Sequence, residues 1–339
     1  MPITNALEGS PMTSTKSSGA SRGARVSVCL LVYNDVASLT GTVNSILTQT
    51  LPDFEFIISD DCSKDGTWEV VLELAKKHPH IRAIQTPRNM KMCGNTNYAV
   101  RHAAGDYIAL LHHGDIYRED LLEKWLDVME RYSTVGFVFN ETASKTSTGI
   151  KLNHKSENRN FSEWMAGRQF LEKVLFKNWG CCVWGTTMFR RACWEAVGGM
   201  REEFGYLADV DLWMRMAARW DVGYVEEPLI TLQDRRERPD DYPEEYKPSH
   251  FWPSKKLAYS IHAANLAQYY ANSRLRYWQK WLQFRARVSL ETSKWLTYAL
   301  VRKRSDMLLD SVKAECPWEF LLVRWYRNCL IWGKRMGLL

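Results

Sequence analysis

The 339-residue chain carries 25% charged and 45% apolar side chains, the balance of a soluble globular protein with one large core or two modest ones. It has no run of eighteen apolar residues, which argues against a membrane-crossing helix, and its first 24 residues lack the apolar stretch of a secretory signal. The net charge of +6 hides an asymmetry: from His250 onward 16 Lys and Arg stand against 5 Asp and Glu, so a tail of +11 follows a body of −5.

Residues 1–24, rich in Ser, Thr and Gly, read as a disordered lead-in. From Arg25 an alternation begins. VSVCLLVY (26–33), FEFIISD (54–60), IRAIQ (81–85), DYIALL (106–111) and VGFVFN (135–140) have the composition of strands. Helical patterns lie between them at about Ala37–Leu47, Thr67–Lys77, Thr96–Ala104 and Glu119–Arg131. This order predicts an α/β fold with a mainly parallel sheet flanked by helices. Right-handed crossovers bring the strand C-terminal ends to one edge, where such folds bind ligands. Tyr33-Asn34-Asp35, Asp60-Asp61, Arg88-Asn89 and His112–Asp115 all fall just past those ends.

A polar stretch follows (Thr142–Asn160), then a helix near Trp164–Phe176, a strand-like VWGTTMFRR and the acidic-aromatic FGYLADVDLWMRMAARW. A charged loop, QDRRERPDDYPEEY, leads into a helical C-terminal extension, residues 246–339, which holds seven of the fifteen tryptophans. The eight cysteines show neither a CxxC pair nor a disulfide framework. They read as small buried hydrophobes, and cytoplasmic residence is the expectation.

The first strand ends in VYNDVASL rather than GxGxxG, which excludes a glycine cradle for a dinucleotide and with it a nicotinamide dehydrogenase. In SDDCSKDGT the carboxylate pair could bind a nucleobase N–H and ribose hydroxyls, while Ser63 and Asp65 read equally well as turn and helix-capping residues. Arg88, just past a strand end, suits a ribose or phosphate. Asp209 and Asp211, two apart, would point about 200° apart on a helix, so only one can face a cleft.

The segment VSVCLLVYNDVASLTGTVNSILTQTLPDFEFIISDDCSKDGT resembles the opening of a family 2 glycosyltransferase: a strand ending in Tyr-Asn, then Ser-x-x-x-Gln-Thr, then Asp-Asp-x-Ser-x-Asp-Gly-Thr. The likeness continues through PRNMKMCGNTNYAVRHAAGDYIALL and covers residues 26–232. It implies a GT-A-like, Rossmann-related catalytic domain over 25–245, with a nucleotide-sugar half at 25–140 and an acceptor half at 141–245. Tyr33 and Asp35 would then lie beside the base, Asp61 would accept its N–H, and Arg88 and Asn97 would line the donor pocket.

Where that family carries Asp-x-Asp, this chain has His112-His113-Gly114-Asp115. Asp115, with His113 in place of the first carboxylate, would hold the divalent cation (Mn²⁺ or Mg²⁺) that neutralises the leaving diphosphate. In the alternative, a histidine merely packs in the turn. Asp209 matches the family's general base, although the preceding position, often Glu, is Ala208. Trp179 and Trp184 would stack on the acceptor sugar. The family's loop histidine is missing; Arg235 and Arg236 would clamp the diphosphate instead, which suggests reduced metal dependence.

The resemblance thus implies inverting transfer from a nucleoside-diphosphate sugar to a saccharide, lipid-linked or other hydroxyl acceptor, in polysaccharide, lipopolysaccharide or other glycoconjugate biosynthesis. The alternative is a catalytically silent sugar-nucleotide-binding or scaffold protein on the same fold. The basic, Trp-rich tail would lie peripherally on an anionic membrane surface, pack on the catalytic body, or join a homodimer. No nucleic-acid module accompanies its charge, so nucleic acid is not expected as a partner.

Overall fold

The computed structural model describes residues 24–146, 148–153, 161–177, 182–183, 185–233, 251–301 and 321, with backbone alone for 251–256 and 292–301. Strand β1 (Val26–Val32) is buried at all seven positions, which explains why its sequence is a continuous apolar run instead of an alternation. Its side chains divide by parity: Cys29 and Leu31 enter one core, and Val26, Val28, Leu30 and Val32 enter the other. The sheet is therefore covered on both faces.

β1 pairs in parallel with β2 (Glu55–Asp60) on one side and β4 (Tyr107–His112) on the other, and β2 pairs in parallel with β3 (Ile81–Gln85). The crossovers are α1 (Leu39–Leu47), α2 (Thr67–Lys77) and α3 (Lys91–His102). After a short β5 (Ile116–Tyr117) and α4 (Leu121–Arg131), β6 (Val135–Thr146) turns back through β7 (Gly149–Leu152). Short β8 (Trp164–Met165) precedes α5 (Gly167–Phe170), which runs on as a wider π turn over Leu171–Leu175. Next come β9 (Thr187–Arg190), α6 (Arg191–Val197), a 3₁₀ segment Glu202–Leu207, α7 (Ala208–Ala217) and β10 (Asp221–Leu232). The chain closes with α8 (Phe251–Tyr269) and α9 (Arg274–Val301).

The sheet order is β3-β2-β1-β4-β9-β6-β10-β5. Antiparallel β9 sits between β4 and β6, so β4 and β6 run the same way and the parallel strands end on a common edge. The fold is thus the expected α/β class, with a mixed outer half.

Three local expectations change. α3 begins at Lys91, five residues before the expected start, because Asn95 satisfies its amide across the sheet: it accepts from Ser59 Oγ (2.6 Å) and donates to the Ser59 carbonyl (3.0 Å). The polar stretch after Asn140 begins as a continuation of β6 paired with β7. The helix expected at Trp164 starts at Gly167, since Trp164 and Met165 pair with β10. Residues 1–23 of the N-terminal lead-in, residues 154–160 and residues 234–250 lie outside the described residues.

Among the described residues no helix is long and apolar enough to cross a membrane. α8 instead docks on the body: His262 is fully buried, with Nδ1 on the Ala258 carbonyl (2.7 Å) and Nε2 on the Leu175 carbonyl (3.0 Å). Where β6 meets α7, Phe137 lies against Trp213 with ring centroids 5.0 Å apart. Phe137→Ala should cost about 3–5 kcal/mol, seen as a lower urea midpoint at unchanged m-value.

Candidate active site

The loops after β1 and β2 are laced together. Asn34, at positive φ, donates its N–H to Ser63 Oγ (2.9 Å), and its side-chain oxygen accepts the Lys64 N–H (2.9 Å). The Asp35 N–H meets Thr67 Oγ1 (2.8 Å), and Asp65 Oδ1 accepts the Thr67 N–H (3.1 Å). Asp60 is spent locally, accepting from the Ser63 N–H (3.0 Å) and Gln85 Nε2 (2.9 Å). Ser63 and Asp65 are therefore the turn-holding residues their types suggest.

Asp61 differs. It is 3% exposed, and its Oδ1 takes the Met90 N–H (2.7 Å) and Thr86 Oγ1 (3.0 Å). Burial pushes its pKa up; these hydrogen bonds oppose the shift and the neighbouring Asp60 adds to it. A carboxylate under that load has reason to recruit a further N–H donor. Arg88 stands exposed in the same 86–90 turn, its carbonyl held by Thr86 Oγ1 (2.8 Å).

The His112–Asp115 turn is held from two sides. Thr42 of α1 donates its hydroxyl to the Asp115 carbonyl (2.9 Å) and receives the Gly114 N–H (3.1 Å). Tyr117 Oη bonds both the N–H (2.9 Å) and the carbonyl (2.7 Å) of His112. Gly114 adopts φ +81°, which a Cβ would disfavour. The His112 ring packs against Gly185, where a Cβ would come within 2.5 Å of Nε2.

His113 donates its backbone N–H to the Leu31 carbonyl (3.1 Å), and its Nδ1 lies 2.9 Å from Asp35 Oδ2. Asp35 also accepts from the Ser38 hydroxyl and is 1% exposed. Asp35, expected beside the base, thus also lies against the His113 ring. An imidazole whose Nδ1 is steadied by a carboxylate presents Nε2 in a fixed direction, the usual support of a metal-ligating histidine. Among the described residues no cluster of three or more His, Cys, Asp and Glu is suited to a metal. A cation bound largely through substrate phosphates needs only one or two protein ligands, and His113 with buried Asp115 fits that role.

At the start of α7 two carboxylates have opposite surroundings. Asp211 is 0% exposed and draws Arg201 (Nε 2.9 Å), Arg215 (Nε 2.8 Å) and Asn265 of α8 (Nδ2 2.8 Å). Arg215 continues to the carbonyls of Val197 (2.6 Å) and Gly199 (2.7 Å). Asp209 is half-buried, with the Val210 N–H on its Oδ1 (2.8 Å), and burial pushes its pKa up to about 7. Burial also raises the Cys93 thiol to about 12, with the charges of Glu202, Asp211 and Asp209 contributing. That links Asp209 to the first turn of α3, three residues from the Met90 that holds Asp61.

Tyr33 is exposed at the edge. Asn97, expected to line the donor pocket, bonds both the N–H and the carbonyl of Met200 through its amide (3.0 Å each) and so fastens the turn leading to Arg201. Trp179, Trp184, Arg235 and Arg236 lie outside the described residues. Sequence reasoning missed Glu141, buried midway along β6 with Tyr224 Oη on its Oε1 (2.6 Å). The apolar run VGFVFN drew attention away from the acid just after it.

The topology defines the class, an α/β sheet of GT-A type. The S. aureus TarS 1-349 structure in complex with UDP-GlcNAc superposes with a TM-score of 0.57 at 15% identity, over 88% of this chain and 79% of that one. TarS 1-349 in complex with UDP gives 0.54 at 16% identity, over 72% and 65%.

Residues 27–198, half of the chain, match Glycosyl transferase family 2. The chain belongs to that family and is a glycosyltransferase. The putative glycosyltransferase EpsE of Bacillus subtilis (strain 168) is 28% identical over 62% of this chain and 74% of its own length. The putative teichuronic acid biosynthesis glycosyltransferase TuaG of the same organism is 32% identical over 41% of this chain, though the match spans little more than half of TuaG, 56%.

Asp209 has a pH signature. An acid with a folded pKa of about 7 and an ordinary value of 3.8 holds its proton more tightly in the fold. Its stabilising contribution is therefore complete at low pH and is lost as pH rises through about 7. Asp209→Asn, which has no proton to lose, should gain stability relative to the wild type as pH rises from about 4 to about 7 in urea titrations.

Proposed function

We propose that the protein transfers a sugar, with inversion, from a nucleoside-diphosphate sugar to a hydroxyl acceptor during assembly of a polysaccharide or other glycoconjugate. One observation carries the reading: Asp209, at the N-terminal turn of α7, has a carboxylate whose pKa burial raises to about 7. A base works best with a pKa near the working pH, and direct displacement at the anomeric carbon needs one group to take the acceptor's proton. The same feature favours transfer over a silent scaffold, which has no use for a poised base.

In this reading Asp61 accepts the base N–H, Tyr33 flanks the base and Arg88 reaches the ribose or phosphates. His113 Nε2 and Asp115 would hold a divalent cation, which when bound supplies positive charge to the departing diphosphate. Asp35 acts one step back, setting the His113 ring. Arg235 and Arg236 as diphosphate clamps, Trp179 and Trp184 as acceptor platforms, and a catalytic domain ending near residue 245 are proposals resting on sequence alone. A relative named for teichuronic acid biosynthesis, and a fold neighbour solved in complex with UDP-GlcNAc, support a nucleotide-sugar donor and a polymeric acceptor. The free cysteines among the described residues suit the cytoplasmic face, where such donors are made.

Asp209→Asn should lower the transfer rate by about 10²–10⁴-fold while leaving nucleoside-diphosphate affinity unchanged. The two quantities are read by product formation and by calorimetric titration. A full transfer rate with a verified donor would remove Asp209 from the mechanism.

A further inference from the structure

Helix α9 carries a surface that the transfer reading does not use. Its inner side is seated on the body: Val288 is buried, and Arg287 donates from Nη1 to the Phe176 carbonyl (2.8 Å). Lys280, Phe284 and Arg287 line a groove against Phe176, His262 and Leu266. The outer side is therefore fixed in direction and, apart from Gln279 and Ser289, it is apolar. Leu275, Trp278, Leu282 and Leu290 are 84%, 52%, 61% and 56% exposed. At about 100° per residue, the spacings of 3, 4 and 8 keep all four within one arc of about 120°.

The flanks of this ridge are basic. Arg274, Arg276 and Arg285 are exposed beside it, and no Asp or Glu occurs from Arg274 to Leu290. Trp278 stands edge-on to Trp281, with ring centroids 5.5 Å apart, and the Arg285 guanidinium lies over Trp281 (5.9 Å). A Leu/Trp ridge bordered by arginines matches a helix lying in the plane of a lipid interface, with aliphatic groups at the acyl boundary and guanidiniums among anionic headgroups. A second copy seated ridge to ridge would bring these arginines onto one another. A nucleic acid would leave three leucines in water.

We propose that the outer face of α9 docks the enzyme on an anionic membrane surface, through Leu275, Trp278, Leu282 and Leu290 with Arg274, Arg276 and Arg285. α8 joins this helix to the body through Asn265 and Asp211, on the same turn of α7 as Asp209, so docking would hold the site at a set height above the lipid. The proposal does not depend on the chemistry assigned to that site.

The test is co-flotation of the full chain with phosphatidylcholine vesicles containing or lacking about one third phosphatidylglycerol, at low and raised salt. Binding should require the anionic lipid and weaken with salt. Arg274→Ala/Arg276→Ala/Arg285→Ala should reduce partitioning on the order of 100-fold, and Trp278→Ser/Leu282→Ser at least about tenfold. Both variants alter only exposed side chains, so donor hydrolysis without vesicles should stay at the wild-type level. Failure to float, equal flotation on both vesicle types, or wild-type flotation by both variants would overturn the proposal. So would a dimer in light scattering that Trp278→Ser/Leu282→Ser converts to monomer, because the ridge would then be a contact between copies.

Discussion

A carboxylate fully withdrawn from water must be surrounded by donors, and the way Asp211 meets that demand organises the second half of the molecule. It gathers Arg201 from the turn before α7, Arg215 from one turn further along α7, and Asn265 from α8. Arg215 passes the restraint to the end of α6 through the Val197 and Gly199 carbonyls, and Asn97 ties the same turn to α3. Four helices are thereby fixed around one charge. Removing one partner from such a cluster leaves another charge uncompensated, which is far more costly than the cluster's net worth.

The arrangement has a chemical consequence two residues away. Asp211 has two guanidiniums, whereas no cation contributes to the shift at Asp209, which burial raises to about 7. Two carboxylates on one helical turn thus meet different surroundings, one tied into ion pairs and one held by burial with its pKa raised. The β1–β4 edge repeats the pattern. Asp60 holds its own turn, Asp61 accepts from the 86–90 turn, and Asp35 lies against His113.

Much of this was legible in the sequence because sheet geometry is strict. Continuous apolar runs marked strands buried on both faces, and parallel crossovers forced their polar ends to one edge, so Asp61, His113 and Asp115 could be located before any coordinates. The opposed directions of Asp209 and Asp211 followed from helical periodicity. What could not be read was which polar groups pair with which. That Asn97 bonds Met200 and that Asp35 lies against His113 is visible only in tertiary contact. The earlier start of α3 was equally hidden, because Asn95's partner, Ser59, lies 36 positions away. Glu141 was hidden behind an apolar run whose strand continues past it.

The account turns on Asp209 being a base set apart from its neighbour by its surroundings. The most direct measurement is a carbon-13 NMR titration of the Asp209 side-chain carboxyl in the intact chain, assigned by comparison with Asp209→Asn. An apparent pKa of about 7 is the predicted result. Titration near the ordinary value of 3.8 would contradict the account, because such a carboxylate would be too weak a base near neutrality for the role assigned to it.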